Sequence, residues 1–360
     1  MAVGLCSFRF VEGVRRQRGA KEEWEQDCAI TIIICVADAD AEMLTRNIAL
    51  FYSILGKKEG IRDRVIVVAD HVSEVSLSAL RKAADECGPN ISIIGNVGER
   101  GKKHAQRLGV ENAETDVIVS VDADCVVWQN FLGIVRREAA QCQGRDFMLL
   151  LPVEMRGDGT LFGLMEEVEF GCLQVVTAGT ALMGRPTMAN GAGMAFNKGL
   201  YMEHDAQTRY ASGDDMFLLA HAIRKGAEVR YVADERAVVT TSAPASVGAY
   251  LRQRTRWLAK AGGYRSAGVV ALALVVFAAV MAWPAGVVYA LMGGCSWSLA
   301  AGVFVAKLLV DGLACGAWLW FREGARGLRR LWVAVPMEVA YPVMTAVVAA
   351  RAAAAPRGRW

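Results

Sequence analysis

Over its first ~265 residues the chain alternates short, unbroken apolar runs with longer runs whose apolar residues recur every three or four positions. Unbroken runs of four to eight apolar residues are typical of buried strands, and the longer spacing is typical of helices that pack on one face. Strands that alternate with helices pair in parallel through right-handed crossovers. We therefore predict an α/β domain with a doubly wound, mostly parallel sheet. The predicted strands are Ile30–Val36, Val65–Ala69, Ile91–Ile94 and Val117–Val121, and the predicted helices are 42–55, 76–87, 102–112 and 216–224.

Three long apolar runs follow this region, at about 267–292, 297–321 and 331–350. Each is long enough to cross a hydrocarbon core, which takes about 20 residues. Buried helices of a soluble domain are the alternative, but three consecutive runs favour membrane spans. The third run carries Glu338 between two prolines, so a re-entrant or interfacial segment is an alternative there.

Basic residues indicate the orientation of the predicted spans. They fill the loop 322–330 between the second and third runs. Because cytoplasmic loops carry an excess of Lys and Arg, we predict that this loop and the preceding domain face the cytoplasm. A further basic group precedes the first run, at Arg252, Arg254, Arg256, Lys260 and Arg265.

Composition excludes several other classes of protein. The net charge of +3 is too small to indicate nucleic-acid binding, so we expect no nucleic-acid partner. The nine cysteines form no Cys-x-x-Cys pair, which argues against a zinc site and against a disulfide framework. Hydrophobic residues make up 54% of the chain, which agrees with a membrane protein that carries a polar head.

One predicted strand ends in two carboxylates, Asp122 and Asp124. Side chains alternate faces along a strand, so two acids at positions i and i+2 can point to one site. Mg²⁺ or Mn²⁺ prefers oxygen ligands, and Mg²⁺ is usually held by one or two carboxylates together with substrate phosphates. The pair predicts a metal and diphosphate site, the alternative being solvated acids at a strand end. Asp70 ends the second predicted strand, and ligands of doubly wound sheets bind at such ends.

Two later motifs also carry polar residues. Asp214 and Asp215 follow Gly213 and begin a predicted helix. Acids at a helix N-terminus are an ordinary capping arrangement, although one of them could instead act as a base. The second motif is Gln-x-x-Arg-Trp at 253–257, just before the first apolar run. Its alternative interpretation is an interfacial helix with Trp and Arg anchors.

In this order, the acid pair, the Gly-Asp-Asp motif, the Gln-x-x-Arg-Trp motif and the apolar runs resemble the membrane-bound glycosyltransferases of family 2. That group contains cellulose, chitin and hyaluronan synthases and ceramide glucosyltransferase. The resemblance extends from about Ile30 to Tyr264 and into the apolar runs, and Gln-x-x-Arg-Trp is its most specific element. It implies the GT-A fold, an inverting transfer from a nucleotide sugar and dependence on Mg²⁺ or Mn²⁺.

The resemblance also implies roles for residues on the donor side. Asp122 and Asp124 match the metal-holding acids, and Asp122 also faces the nucleotide. Asp70 matches the acid that contacts the uracil ring, and Lys102 matches a basic residue near the donor. The first-strand motif departs from the family pattern Pro-x-x-Asn-Glu, because the corresponding positions are Val36, Ala39 and Asp40.

On the acceptor side, the resemblance implies that Asp215 is the catalytic base and that Asp214 and Gly191 contact the acceptor. Gly191 belongs to the segment 190–198, which is similar to the Gly-rich acceptor segment of the family. Trp257 is implied to bind both donor and acceptor. The motif that closes over the diphosphate and the acceptor sugar corresponds to Gln253, Arg256 and Trp257.

Together these observations predict a membrane-bound, metal-dependent, inverting glycosyltransferase of the cytoplasmic membrane face. The donor is expected to be a UDP-sugar and the acceptor a polysaccharide or a lipid. A polymer product would call for a homo-oligomer or a partner membrane subunit to build a channel, whereas a lipid acceptor would not. The alternative is a non-catalytic membrane protein whose nucleotide-binding head assists a partner synthase.

Lys307 and Asp311 lie four positions apart in the second apolar run, so they share a helix face. They are either a self-compensating pair or a functional site within the membrane.

The same features predict the domain organisation. The predicted regions are a polar N-terminal extension at 1–28, a GT-A domain at 29–245, an interfacial segment at 246–265, a membrane region at 266–350 and a basic tail at 351–360.

Overall fold

The computed structural model describes residues 2–18, 28–53, 55, 63–142, 144–204, 213–259 and 267–354. The chain forms two compact units. The sheet unit comprises Arg15–Glu154 and Met188–Ser242, and the helical unit comprises Met1–Val14, Met155–Thr187 and Ala243–Trp360. Lys260, Arg265 and the end of the predicted basic tail lie outside the described residues. The predicted domain boundaries stay a prediction.

A seven-stranded sheet with the order β3-β2-β1-β4-β7-β5-β8 forms the core of the sheet unit. Strands β1 to β4 pair in parallel, and β7 runs antiparallel to both β4 and β5. This confirms the predicted mostly parallel sheet. The strands are β1 (Ile30–Val36), β2 (Arg64–Asp70), β3 (Ile91–Asn96), β4 (Val117–Asp122), β5 (Phe147–Leu150), β6 (Val153–Arg156), β7 (Gly193–Asn197), β8 (Glu228–Tyr231) and β9 (Val239–Ser242), and β6 pairs with β9 in a separate two-stranded sheet.

Helices lie at the four positions that the apolar spacing predicts in this unit, and two more, at 131–140 and 198–202, were not predicted from the sequence. The helices of this unit are α2 (Asp38–Ser53), α3 (Glu74–Cys87), α4 (Lys102–Asn112), α5 (Phe131–Ala140), α7 (Lys198–Met202) and α8 (Asp214–Lys225). Helix α2 begins four residues before the predicted start, at Asp38. The acids Asp38 and Asp40 occupy its first turn, where negative charge interacts favourably with the helix dipole.

Helix α4 lies unusually close to the sheet. A Cβ atom on Gly109 would lie 2.7 Å from Ile33 Cγ2 and 3.0 Å from Val68 Cγ2, so only glycine permits this approach. Ile33 and Val68 are buried residues of β1 and β2. Gly109 thus fixes α4 over these two strands and places the N-terminus of α4 near their carboxyl ends.

The helical unit contains long helices that pack through small residues. Its helices are α6 (Leu161–Leu182), α9 (Val247–Ala259), α10 (Ala267–Leu291), α11 (Trp297–Glu323) and α12 (Ala334–Ala354), with a 3-10 segment at Gly324–Val333. A Cβ atom on Gly171 of α6 would lie 2.1 Å from Trp318 Cδ1 of α11, so the indole occupies the space that glycine leaves. The predicted polar N-terminal extension contains helix α1 (Ala2–Arg18), whose Cys6, Phe10 and Val14 are buried.

Two segments of the described chain are long and apolar enough to cross a membrane, Ala273–Leu291 and Trp297–Ala354. In an apolar 18-residue stretch of each segment, only 11% and 17% of the residues are buried inside the protein. A core helix of a soluble domain would be mostly buried, so this exposure favours association with lipid. The second segment includes α11, the 3-10 segment and α12.

Charged residues inside these helices pair with one another. The Nζ atom of Lys307 lies 2.6 Å from Asp311 Oδ2, as the four-residue spacing predicts, and 2.8 Å from Glu338 Oε1 of α12. Glu338 is 1% exposed. The lysine therefore compensates acids on two helices, and the self-compensating interpretation accounts for Lys307 and Asp311.

Candidate active site in the sheet unit

The carboxyl ends of parallel strands carry the predicted donor residues. Asp70 is the last residue of β2 and Asp122 the last residue of β4, on either side of β1. The register aligns Val36 with Ala69 and Cys35 with Asp122. Parallel strands end at the same edge of a sheet, so the two acids lie at one edge, where doubly wound sheets bind ligands.

A turn places Asp124, which corrects the expectation from strand alternation. Strand β4 ends at Asp122, and the Cys125 N–H donates to the Asp122 carbonyl over 3.1 Å to close a turn. The Asp124 carboxylate accepts a hydrogen bond of 2.8 Å from Thr241 Oγ1 of β9. The two acids are therefore positioned separately, Asp122 by the strand and Asp124 by the turn and by Thr241.

Lys102, the first residue of α4, forms an ion pair with Asp122. Burial alone would lower the pKa of Lys102, but the negative charge of Asp122 outweighs it and raises the pKa above its ordinary value. The ammonium is therefore held as a fixed positive charge at the carboxyl edge of the sheet. Sequence reasoning placed Lys102 near the donor, and it lies beside the predicted donor acid Asp122.

The acids at the start of α8 occupy different surroundings. Asp215 accepts hydrogen bonds from the N–H groups of Gly191 (2.9 Å) and Met216 (2.8 Å), which fix the orientation of its carboxylate. Asp214 is 6% exposed. Burial raises the pKa of Asp214 to about 6, although Lys103 and Lys102 oppose the shift.

Gly191 marks where the predicted catalytic residues converge. A Cβ atom on Gly191 would lie 3.6 Å from Asp215 Oδ2 and 3.7 Å from Lys102 Nζ. Lys102 in turn contacts Asp122. The structure therefore brings together four residues to which the family resemblance gave roles, each from a different segment of the sequence.

Asp70 is buried and engaged by the loop between β3 and α4. Its Oδ1 accepts from Asn96 Nδ2 at 2.8 Å, and its Oδ2 accepts from the Gly101 N–H at 2.9 Å. His71, the next residue, has a φ of 53°, a conformation that is costly outside glycine and that often occurs at functional sites. Contact of Asp70 with a nucleobase stays a prediction.

The carboxylates suit a hard cation that takes further ligands from a substrate. Within the described ranges, no three or more His, Cys, Asp or Glu side chains are placed to hold a metal by themselves. Burial raises the pKa of Asp40, and Asp124 and Asp122 raise it further. These three acids therefore repel one another, and a divalent cation would relieve the repulsion. Asp122 and Asp124 thus fit Mg²⁺ or Mn²⁺ bound jointly with phosphate oxygens.

The Gln-x-x-Arg-Trp motif lies on α9 of the helical unit, so its proximity to the residues above stays a prediction. Arg256 is exposed, and Gln253 and Trp257 are half-buried. The Trp257 ring lies 4.4 Å from the guanidinium carbon of Arg254 and 6.3 Å from the Phe170 ring of α6. Helix α6 and Arg254 therefore fix the orientation of Trp257.

Several polar residues that contact the predicted site residues were not selected as site residues from the sequence. Lys103 is buried beside Asp214, Thr241 holds Asp124, and Asn96 holds Asp70. Arg254, within the Gln-x-x-Arg-Trp motif, is buried against Glu169. Of these residues, only Lys103 and Arg254 could have been suspected from the sequence, because each is adjacent to a residue that the sequence analysis selected.

The family match covers most of the sheet unit and part of the helical unit. Residues 28–259, well over half of the sequence, match the sequence model described as glycosyltransferase-like family 2. This range includes the sheet unit's acids and the Gln-x-x-Arg-Trp helix. Among curated proteins, no sequence matches significantly.

Solved structures match this chain at low sequence identity. A mannosyltransferase from Pyrobaculum calidifontis, solved in complex with GDP-Man and Mn²⁺, is 16% identical with a TM-score of 0.51, over 98% of this chain and 96% of that chain. GalNAc-T7, solved with UDP, GalNAc and Mn²⁺, is 12% identical with a TM-score of 0.46. That match covers 60% of this chain and 43% of the other.

Proposed function

Because this chain belongs to glycosyltransferase-like family 2, we propose that it transfers a sugar from a nucleotide sugar to a polysaccharide or lipid acceptor, with inversion, at the cytoplasmic face of a membrane. The donor is expected to be a UDP-sugar. The observation that carries the proposal is the convergence of Lys102, Asp122, Gly191 and Asp215 at the carboxyl edge of the sheet.

Asp215 has the surroundings that a catalytic base requires. Two backbone N–H groups hold its carboxylate in a fixed orientation, and a carboxylate held in this way can accept the proton of an acceptor hydroxyl. In the proposed reaction the hydroxyl oxygen bonds to the anomeric carbon while the bond from that carbon to the diphosphate breaks. The electron pair stays on the diphosphate, and the hydroxyl proton passes to Asp215.

The leaving diphosphate carries negative charge that the site would compensate. Lys102 supplies a fixed ammonium at the N-terminus of α4, where backbone N–H groups also favour anions. Asp122 and Asp124 would hold Mg²⁺ or Mn²⁺, and the cation, when bound, supplies Lewis-acid stabilisation of the diphosphate. The mannosyltransferase with the same fold was solved with Mn²⁺, which supports testing that metal first.

The helical unit supplies the remaining proposed contacts. Arg256 is exposed and would add positive charge at the diphosphate, Gln253 would bind the donor, and Trp257 would stack on a sugar face. Gly191 and Asp214 are proposed to contact the acceptor. The exposed apolar helices support a membrane location, so that a lipid-linked or membrane-extruded acceptor would be available at the surface.

Nucleotide release from a panel of donors tests the proposal. The protein, purified with its apolar helices in detergent, is incubated with Mn²⁺ and UDP-sugars, and with GDP-mannose because the structural neighbour binds it. We expect release of nucleotide from one donor at a rate that falls at least 100-fold in Asp215→Asn, since general base catalysis contributes about 10²–10⁴-fold. Asp85→Asn, an exposed acid on α3, is the matched control.

Equal, background release by wild type and Asp215→Asn with every donor would instead support the non-catalytic nucleotide-binding alternative. Mass analysis of the product made in membranes then separates the two acceptor classes. A ladder of masses spaced by one sugar indicates a polysaccharide, and a single addition to a lipid indicates a glycolipid.

A further inference from the structure

The first residues of α4 contact three of the acids at the carboxyl edge. The Gly101 N–H donates to Asp70 over 2.9 Å, and Lys102 pairs with Asp122. The next residue, Lys103, places its Nζ 3.4 Å from Asp214 Oδ1. Gly101, Lys102 and Lys103 therefore each contact an acid from a different motif. The third of these acids, Asp214, lies on α8, the helix that carries Asp215.

Lys103 is buried to an extent that is rare for lysine. It is 4% exposed, and its partner Asp214 is 6% exposed. The ammonium also lies 4.8 Å from the centre of the Phe217 ring. Asp214 and Phe217 are three positions apart on α8, so they share one face of that helix. Lys103 thus packs against the first turn of α8 through both a charge and a ring.

We propose that Lys103 is a positioning residue for the catalytic base: by pairing with Asp214 it fixes the first turn of α8 so that Asp215 faces Gly191. The inference rests on the proposed function, in which Asp215 accepts the hydroxyl proton. Lys103 acts through Asp214, the residue that precedes the base. The Gly191 and Met216 N–H groups complete the placement of Asp215.

The ion pair depends on the ionised form of Asp214. Burial raises the pKa of Asp214 to about 6, Lys103 and then Lys102 lower it, and Asp215 raises it. Tyr201 and Cys35 also lie within electrostatic reach of this carboxylate. Removing Lys103 takes away the strongest opposing charge, so Asp214 would bind a proton at higher pH than in wild type.

The test measures kcat, the donor KM and the pH profile of Lys103→Met, Lys103→Arg and Asp214→Asn with the full-length protein. A misplaced base affects the proton-transfer step rather than donor binding, and small displacements can cost about 100-fold in rate. We expect Lys103→Met and Asp214→Asn to lower kcat about 10- to 100-fold with the donor KM changed less than about threefold.

The conservative variants distinguish positioning from simple support of the fold. Lys103→Arg is expected to recover most of kcat because it keeps the positive charge. The double variant Lys103→Met/Asp214→Asn is expected to lose no more than either single variant, since the two residues act as one unit. The contribution of Asp214 to the acidic limb of the pH profile is expected near pH 6 in wild type and at higher pH in Lys103→Met, and Asp214→Asn is expected to lose this contribution.

Lys82→Met, an exposed lysine on α3, controls for the loss of a positive charge. If Lys103→Met does not fold, Asp214→Asn still tests the proposal, because an amide of the same shape removes the pair with little change in volume. Unchanged kcat in both Asp214→Asn and Lys103→Met would overturn the positioning role. The proposed function would still stand in that case, because the wild type would be active. Wild type without nucleotide release from any donor would overturn the proposed function, and the positioning role with it.

Discussion

The sheet unit and the helical unit both bury acids beside basic side chains, but they differ in how the charges are matched. In the sheet unit, Asp214 pairs with Lys103, and its pKa is raised by burial only to about 6. In the helical unit, Glu166 and Glu169 share the single Arg254, at 3.8 Å from Glu166 and closer to Glu169. Burial raises the pKa of Glu166 to about 8, and repulsion from Glu169 adds to the shift.

The difference indicates two uses for the same chemistry. An acid with its own cation stays ionised near neutral pH, which suits a site that handles diphosphate and protons. Two acids that share one cation cannot both be ionised at low cost, so one of them holds a proton and the three residues together carry no net charge. Their role is then to hold α6 and α9 together. We therefore expect substitutions of the paired charges in the sheet unit to change activity, and substitutions of Glu166, Glu169 or Arg254 in the helical unit to change stability.

The largest effect is expected for Asp215→Asn, which removes the proposed base and leaves the shape of the side chain. Activity should fall about 10²–10⁴-fold while the thermal unfolding midpoint stays close to that of wild type. Donor-dependent nucleotide release and thermal unfolding, measured on the same preparation, check both parts. A large loss of stability in this variant would contradict the division between the two units.

Arg254→Met is expected to show the opposite pattern. It leaves Glu169 buried without its cation, and breaking a buried ion pair typically costs about 3–5 kcal/mol. Thermal unfolding in detergent should show a midpoint lower by several degrees. Arg252→Met, an exposed arginine on the same helix, is the matched control. The double variant Arg254→Met/Glu169→Gln should recover part of the loss, because it removes the unpaired charge.

A smaller effect, confined to the sheet unit, is expected for Thr241→Val. This change removes the 2.8 Å hydrogen bond that orients Asp124. Groups that orient metal ligands typically contribute 10- to 100-fold in affinity, so we expect Mn²⁺ affinity to fall about tenfold. Electron paramagnetic resonance of free Mn²⁺ measures this without donor or turnover. Thr240→Val, whose hydroxyl donates to Glu154 instead, should bind Mn²⁺ as wild type does.

The two regions also differ in how far the sequence predicted them. The pattern of apolar residues located β1 to β4 and the helices between them, since β1, β2 and β4 are buried on both faces and the helices carry one apolar face. Asp122 and Asp215 could be selected because each follows a recognisable local pattern. The antiparallel β7 could not be predicted, because its direction depends on pairing with β4 and β5 rather than on its own residues.

Contacts between distant residues account for most of what was missed. Lys103 and Asp214 are separated by more than a hundred positions, and no local pattern indicates that the second lysine of α4 turns inward. Arg254 pairs with Glu169 across 85 positions. Both pairs depend on which helices pack together, α4 with α8 and α6 with α9, and the residues next to them in the sequence do not specify this.

The finest test of the comparison is the pH dependence of stability around Glu166. Its pKa in the folded protein, about 8, lies above the ordinary value of 4.5, so the folded state holds a proton that the unfolded chain releases. Stability is therefore lost as pH rises from about 4.5 to about 8 and changes little above that. Glu166→Gln has no titratable group at this position, so it removes this pH dependence.

We expect Glu166→Gln and wild type to have similar unfolding midpoints near pH 4.5, and the variant to become increasingly the more stable of the two as pH rises to about 8. Asp214 titrates over part of the same range in both proteins, so only the difference between them reports on Glu166. Glu86→Gln, an exposed acid, should leave the difference flat. A flat difference for Glu166→Gln as well would mean that Arg254 keeps both acids ionised, and the helical unit would then match its charges as the sheet unit does.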